Sequence, residues 1–257
     1  MDRRVRERRR SVSRQRGRRR ASLVCVIALV LAVVALFVWL RSSDVFAVRR
    51  VVATTTEHVT AEDISRVTSD ARGVSLLQLS TDTIERNLMA LPYVRSAEVH
   101  RRFPDALDVR LVEYEPAARL QDPSGGVWLV AEDGRVLESG AASAAPELPL
   151  VVAADKLSLL AGDSVPRVIL DALPLTALLQ PGEFAESLPA IDRIAVSAGG
   201  DVAVRLTGGE ELRLGRPTEL KQKLTVVGDI ITQYLRDGRQ IRYVDASVPD
   251  RVAVKAE

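Results

Sequence analysis

The chain carries an uninterrupted apolar run from Ala21 to Leu40, twenty positions without a charged side chain. A helix rises about 1.5 Å per residue, so this run is long enough to cross the roughly 30 Å hydrocarbon core of a bilayer. A cleaved signal peptide is the alternative, but its apolar stretch is typically about 7–15 residues long and ends at small residues. Here the run ends in the bulky segment 37–40 with Arg41 next, which favours a retained single transmembrane helix.

Residues 46–113 follow a pattern that predicts the order β-α-α-β-β. A β-branched run typical of a strand comes first, and Thr60 followed by Asp63 then forms a capping-box pattern that starts a helix. A second helix has apolar residues at helical spacing and ends at Pro92. The predicted elements are a strand at 48–53, helices starting near Thr60 and Asp82, and a hairpin of strands at 94–103 and 107–111. One face of this sheet can be buried under the two helices, which makes a compact α+β domain.

The rest of the chain, 114–257, consists of short apolar runs separated by glycine-containing turns. Strands are predicted at 127–131, 135–137, 150–152, 191–196, 202–206, 211–214, 241–246 and 251–255. A helical pattern at 165–180 contains Pro174, which should break or kink it. A long helix is predicted from about Thr218 to Arg236, with Gly238 as its stop signal. The pattern therefore predicts a mostly antiparallel β domain with a long C-terminal helix.

Charge orients the predicted span. Eleven of the first twenty residues are arginine, and the positive-inside rule keeps such a segment on the cytoplasmic side. Residues 1–20 are thus expected to form a basic cytoplasmic tail, and everything from Arg41 onward to lie outside the cytoplasm. Nucleic-acid binding is another use of an arginine run, but membrane topology and contact with anionic lipid headgroups explain this one.

Composition limits what the exported part can be. Beyond residue 20, 25 basic side chains face 32 acidic ones, so nothing there is suited to a polyanion such as nucleic acid. The single cysteine, Cys25, lies in the apolar run, and the exported domains must therefore fold without disulfides. The 217 residues after position 40 are enough for two ordinary domains.

Motifs for catalysis, cofactor binding or metal binding are missing from the sequence. The two histidines, His58 and His100, lack the spacing of a zinc site and are expected to be a solvated loop residue and a residue on the polar face of a strand. Phosphate-binding, dinucleotide-binding and nucleophile-elbow motifs do not occur either. The acidic residues Glu113, Glu115 and Asp122 are expected to form a solvated edge. We therefore expect a non-enzymatic protein without cofactors, and function through recognition.

The last predicted strand, Arg251 to Lys255, is a candidate for such recognition. A strand at the edge of a sheet presents unpaired N–H and C=O groups, onto which a partner can add a strand. The alternative is an ordinary edge that Arg251 and Lys255 protect from pairing.

The segment from Leu91 to Pro116 contains a series of spaced motifs: Leu91-Pro92-Tyr93-Val94, Ala97-x-Val99, Arg101-x-Phe103-Pro104-Asp105-x-Leu107 and Glu113-x-x-Pro116. In these residues and their spacings the segment resembles the FtsQ/DivIB family of bacterial cell-division proteins. Residues 130–136 and 220–245 are similar to later elements of the family, and so is the single membrane pass with a basic tail. The resemblance spans nearly the whole chain.

This resemblance implies a POTRA domain at 41–113, a β domain at 114–257 and a location in the cell membrane at the division septum. It also implies a scaffold without catalysis that joins the bitopic proteins FtsB and FtsL and helps recruit the septal peptidoglycan synthase. By position, the strands that accept FtsB map onto two segments: Tyr243, Val244, Asp245, Ala246 and Ser247, and Arg251, Val252, Ala253, Val254 and Lys255. A membrane-anchored envelope enzyme and a POTRA-type translocation component are the alternatives.

Overall fold

The structure is a computed structural model that describes residues 24–35, 38–39, 44–54, 56–140, 145–179, 190–248 and 251–256. Residues 24–35 and 38–39 are helical. Within this described part of the chain, no helix combines the length and the apolar character that a membrane crossing requires. The predicted cytoplasmic tail at 1–20 lies outside the described residues, and the predicted span from Ala21 to Leu40 lies partly outside them.

The described residues form two compact units. The first contains the described residues before position 55 together with Thr60–Glu85 and Glu98–Arg110. The second contains Thr56–Val59, Arg86–Ala97 and the described residues from Leu111 onward.

The predicted β-α-α-β-β order is confirmed. The elements are β1 (Arg50–Ala53), α1 (Ala61–Val67), α2 (Thr81–Met89), β2 (Val94–Arg102) and β3 (Ala106–Glu113), with short 3-10 turns at Asp44–Phe46 and Ser69–Ala71. The three strands form a sheet in the order β1-β3-β2, in which β1 runs parallel to β3. The predicted capping box is present, because the Asp63 N–H donates to Thr60 Oγ1 and the Thr60 N–H donates back to Asp63 Oδ2, both at 3.2 Å.

A nine-stranded sheet contains the remaining strands. They are β4 (Pro116–Gln121), β5 (Val127–Ala131), β6 (Val136–Ser139), β7 (Leu150–Ala153), β8 (Ile191–Val196), β9 (Val202–Leu206), β10 (Glu211–Gly215), β11 (Ile241–Asp245) and β12 (Ala253–Ala256). The strand order is β12-β11-β10-β9-β8-β7-β4-β5-β6. The pairs β4–β7, β7–β8 and β10–β11 are parallel and the others antiparallel, which confirms the mostly antiparallel prediction.

Among the described residues, three helices accompany this sheet: α3 (Arg167–Leu170), α4 (Pro174–Leu178) and α5 (Leu220–Arg236). Pro174 begins α4, so the helical pattern at 165–180 is broken where the proline predicts. The long helix α5 places Leu224 and Val227, both at 0 % exposure, in the same hydrophobic cluster as strands β8 to β11. Because α5 joins the parallel strands β10 and β11, it acts as the crossover that this connection needs.

Candidate partner-binding edge

Strand β12 lies at one edge of the nine-stranded sheet as described, next to β11. The two strands are antiparallel, with Tyr243 opposite Lys255, Val244 opposite Val254 and Asp245 opposite Ala253. Both segments that sequence reasoning singled out are therefore brought together as neighbours. The last strand begins at Ala253, two residues later than predicted, and Arg251 and Val252 lie in the approach to it.

The side chains of this edge alternate in exposure. Val252 and Val254 are half-buried and pack against the hydrophobic cluster of the sheet. Arg251, Ala253 and Lys255 are exposed. One face of the strand thus holds it to the domain, while the other presents a small residue between two basic ones.

Strand β11 fixes the position of this edge. Val244 is fully buried, and β11 continues the sheet through its parallel pairing with β10. Beyond the strand, the N–H of the buried Ala246 donates to the Arg213 carbonyl at 2.8 Å. The Arg213 guanidinium lies 4.7 Å from the centre of the Tyr243 ring, a cation–π contact on the partly exposed face. The edge strand β12 therefore pairs with a strand, β11, that is itself held in place by main-chain hydrogen bonds and by side-chain contacts.

The turn after β11 is closed by Asp245 and Ser247. The Ser247 hydroxyl and N–H donate to Asp245 Oδ1 at 2.5 and 3.0 Å. These hydrogen bonds, the hydroxyl's first, hold the pKa of the Asp245 carboxyl below its usual range. The next residue, Val248, is 53 % exposed. A negatively charged and ordered turn thus leads from β11 toward β12.

A buried lysine supports the same region, and sequence reasoning missed it. Lys223, in the first turn of α5, is 2 % exposed, and its ammonium donates to the carbonyls of Leu214 and Arg216 at 2.7 and 2.8 Å. Burial lowers the pKa of this lysine. Its position on the helix gave only a weak signal, because a lysine in a helix is normally solvated.

An open cleft of about 840 Å³ lies beside these residues. Its lining includes Arg213, Arg216, Lys223 and Ser247. The cleft lies beside the turn after β11, and its lining also includes the acidic residues Asp201 and Glu211.

The prediction that Glu113, Glu115 and Asp122 form a solvated edge is correct for one of these residues and wrong for the other two. Glu115 is exposed as expected, but the carboxylate of Glu113 accepts hydrogen bonds from the Thr56 hydroxyl and from the Val59 N–H at 2.7 Å. Asp122 is only 2 % exposed. The carboxylates of Glu113 and Asp122 both accept hydrogen bonds from loop backbone and hold it in place. Some of these donors, such as Val59 and Leu157, are distant in sequence from the carboxylate that they contact.

Asp122 stabilises two loops at once. Its carboxylate accepts from the Leu157 N–H at 3.0 Å, from the Ser124 hydroxyl and from the Gly126 N–H at 2.8 Å. The bond from Leu157, and then that from the Ser124 hydroxyl, lower the pKa of this carboxyl against the opposing effect of burial. The group is structural, with all of its acceptors used within the fold.

Both histidines are exposed, as the sequence predicts. His100 is exposed on its strand, as expected. His58 is exposed in its loop, as expected, and its ring also stacks on Tyr93 with 4.2 Å between centroids, while its Nδ1 lies 3.3 Å from Glu113 Oε2. Among the described residues, no group of three or more His, Cys, Asp or Glu side chains is arranged to hold a metal ion.

Comparison with known proteins agrees with this architecture. The profile described as "POTRA domain, FtsQ-type" matches residues 46–114, and "Cell division protein FtsQ/DivIB, C-terminal" matches residues 118–247. The "Cell division protein FtsQ" of Anaeromyxobacter sp. (strain K) is 29 % identical over 265 residues, which cover 96 % of this chain and 88 % of that protein. The protein of the same name from Syntrophotalea carbinolica is 27 % identical, over 85 % of this chain and 77 % of its own length.

The C-terminal profile alone covers half of the chain and ends at Ser247, after β11. Together with the POTRA profile and relatives that align along most of the chain, it makes the assignment firm. The chain therefore belongs to the FtsQ/DivIB family of bacterial cell-division proteins, non-enzymatic membrane proteins of the division site.

Proposed function

We propose that this protein is a single-pass membrane scaffold of the division machinery that binds FtsB- and FtsL-type bitopic proteins and helps recruit the septal peptidoglycan synthase. The observation that carries the proposal is the position of β12 at the edge of the described sheet. A partner segment pairs with this strand through main-chain hydrogen bonds and extends the sheet by one strand.

Three properties of the edge support strand addition. Val254 keeps β12 attached to the hydrophobic cluster, so the strand is a firm template. Ala253 is exposed, and its side chain is small enough for another backbone to approach closely. Arg251 and Lys255 flank it and favour an acidic partner segment. The segment next to β12 in the sheet is the second part of the proposed site and supports the edge strand through its pairing with it. It consists of Tyr243, Val244, Asp245, Ala246 and Ser247.

The proposed organisation keeps the partners close to one another. Residues 1–20 form the basic cytoplasmic tail, 21–40 the membrane span, 41–113 the POTRA domain and 114–257 the β domain. A span that places these domains on the outer face of the membrane confines them with partners that are anchored in the same membrane. Confinement raises the effective concentration, so weak contacts are sufficient for assembly.

Two proline variants of the full-length protein test the edge. In an antiparallel strand, neighbouring residues direct their N–H groups to opposite sides, so of Ala253→Pro and Val254→Pro, one removes a bond to β11 and the other removes a bond to the partner. Loss of one hydrogen bond of about 1–1.5 kcal/mol weakens binding of a purified FtsB-type partner roughly tenfold. Val254→Thr keeps the N–H and the side-chain shape and is the matched control.

Hydrogen exchange of the β11 amides identifies which proline leaves the β11–β12 pair intact. That variant must lose partner binding, because only the outward-facing groups have changed. Wild-type binding by it, measured as retention of the partner on immobilised protein, would exclude strand addition at β12.

A further inference from the structure

Four apolar side chains at one end of the first compact unit form a group that we call the juxtamembrane patch: the exposed Val45, Leu77 and Phe103 and the half-buried Phe46. Phe103 is 55 % exposed, Val45 57 % and Leu77 40 %. The rings of Phe46 and Phe103 meet edge to face, with 5.9 Å between centroids. Two aromatic rings thus support each other outside the core, where an unassisted phenylalanine is unfavourable.

The backbone brings these residues to one end of the unit. Ala47 pairs with Ser75 in an antiparallel bridge, and the Leu76 N–H donates to the Phe46 carbonyl at 2.8 Å. The Arg49 N–H donates to the Asp105 carbonyl at 2.9 Å, which holds the turn containing Phe103 beside the start of β1. The patch is therefore composed of three chain segments that are fixed to one another by main-chain hydrogen bonds.

Basic side chains lie on the same chain segments as the patch. The exposed arginines on the same three segments are Arg49, Arg50, Arg72, Arg101 and Arg102. The carboxylate of Asp105 is occupied by Arg50, with 2.7 Å between Nη2 and Oδ1. This end of the unit therefore carries an excess of positive charge, although the exported part of the chain as a whole is acidic.

The patch is also close to the proposed membrane span along the chain. Val45 follows the end of that span, Leu40, by five residues. A fully extended chain covers at most about 3.6 Å per residue, so Val45 lies within roughly 18 Å of the point at which the chain leaves the hydrocarbon core. The headgroup region of a bilayer extends over part of that distance.

We propose that the juxtamembrane patch lies on the outer surface of the membrane, with Phe46 and Phe103 at the boundary between headgroups and acyl chains and the arginines against anionic lipid phosphates. Apolar and aromatic side chains rimmed by arginine are the combination that binds the interface of anionic membranes. This proposal depends on the proposed membrane anchor. The short tether and the sign of the charge favour lipid over a protein partner.

Photocrosslinking from the full-length protein tests the proposal. Benzoylphenylalanine replaces Phe103 in one variant and, as the control, Val112 in another; Val112 is also 55 % exposed but lies outside the patch. Each variant is inserted into vesicles of phosphatidylethanolamine and phosphatidylglycerol, irradiated and analysed by mass spectrometry. We expect phospholipid adducts from position 103 and a background level from position 112. Combining Arg49→Glu with Arg102→Glu should reduce the adducts at 103 at least about tenfold.

Flotation of the vesicles in a density gradient separates failure of the patch from failure of the anchor. Protein that floats with the vesicles but forms no lipid adducts at position 103 overturns the patch proposal and leaves the anchor intact. Protein that does not float overturns the anchor and the patch proposal with it. In dividing cells, a protein adduct at position 103 in place of a lipid adduct also overturns the proposal, in favour of a protein partner on this surface.

Discussion

Lys223 lies beneath the end of β10, and its replacement by methionine keeps the length of the side chain while removing its donors. The ammonium is bound to the carbonyls of Leu214 and Arg216 at 2.7 and 2.8 Å, and the side chain is 2 % exposed. In the variant Lys223→Met, both carbonyls lose this partner; the bond to Leu214 is buried and the bond to Arg216 is part-buried.

The expected cost follows from these contacts. A buried polar group left without a partner costs about 1–3 kcal/mol, which applies in full to the Leu214 carbonyl and in part to the Arg216 carbonyl. Methionine recovers part of this, because an ammonium is itself unfavourable in a buried position, as its lowered pKa indicates. We therefore expect Lys223→Met to lower the free energy of unfolding of the β domain by about 2–3 kcal/mol.

Urea unfolding of the full-length protein in detergent measures this change. The chain has two tryptophans, and in a Trp39→Phe background the buried Trp128 reports on the sheet alone. With an m-value of about 2 kcal/mol per molar urea, the midpoint should fall by about 1 M or more. Lys221→Met changes an exposed lysine of the same helix and should leave the midpoint in place. Equal midpoints for Lys223→Met and the parent would refute the role of the buried ammonium.

The pH dependence gives an independent check. The pKa of Lys223 lies below the ordinary value of 10.5 in the folded protein. Between the folded and unfolded pKa values the unfolded chain binds more protons, so the unfavourable effect of burying the charge diminishes as the pH rises through that window. Relative to Lys223→Met, the parent protein should gain stability there. A constant difference across that window would contradict a lysine that is charged and buried.

Three further predictions concern the loops of the second compact unit. Gly134→Ala should destabilise the protein by more than about 1 kcal/mol, because Gly134 has φ +84° and an added Cβ would lie 2.8 Å from two apolar side chains. The control Gly125→Ala, at φ +87° but with open space around the added Cβ, should cost less. The urea midpoints of the two variants measure the difference. The ionised Asp122 carboxyl stabilises the parent above about pH 4, and this stabilisation is lost as the pH falls through the lowered pKa of Asp122. Asp122→Asn should lack this stabilisation at every pH. The stabilities of the two proteins in an acid titration should therefore converge at low pH. Arg135→Met should speed amide exchange at the end of α2, because the Arg135 guanidinium donates to three carbonyls there; unchanged exchange at 90–94 would count against that contact.

Elements with their own local signals could be predicted from the sequence. Three predicted features depend on residues close in sequence: the capping box at Thr60, the glycine turn between the strands at 127–131 and 135–137, and the break at Pro174. All three are present. Strand β4 was missed, because its apolar residues alternate with long polar ones over only six positions and its first residue is Pro116. Its pairing with β5 and β7 decides its conformation, and that pairing is not visible locally.

The candidate site shows the same division. The two edge segments could be located by pattern and resemblance. The predicted start of β12 is two residues early, because Arg251 and Val252 continue the alternation of polar and apolar residues but are not paired as a strand. Lys223, Glu113 and Asp122 could not be assigned, since their partners are backbone groups that only the folded chain brings close. A charged residue with distant backbone partners leaves no periodic signal.

The crossover through α5 has a consequence for when the proposed binding edge becomes available. Strands β10 and β11 are neighbours in the sheet, yet the whole of α5 separates them along the chain. Pairing of such distant segments is slow, because loop-closure entropy is lost before the contacts form. Since β12 depends on β11, the edge should be among the last parts of the domain to form. Under the proposed function, a copy that has not completed this part of the sheet has no strand for a partner to extend.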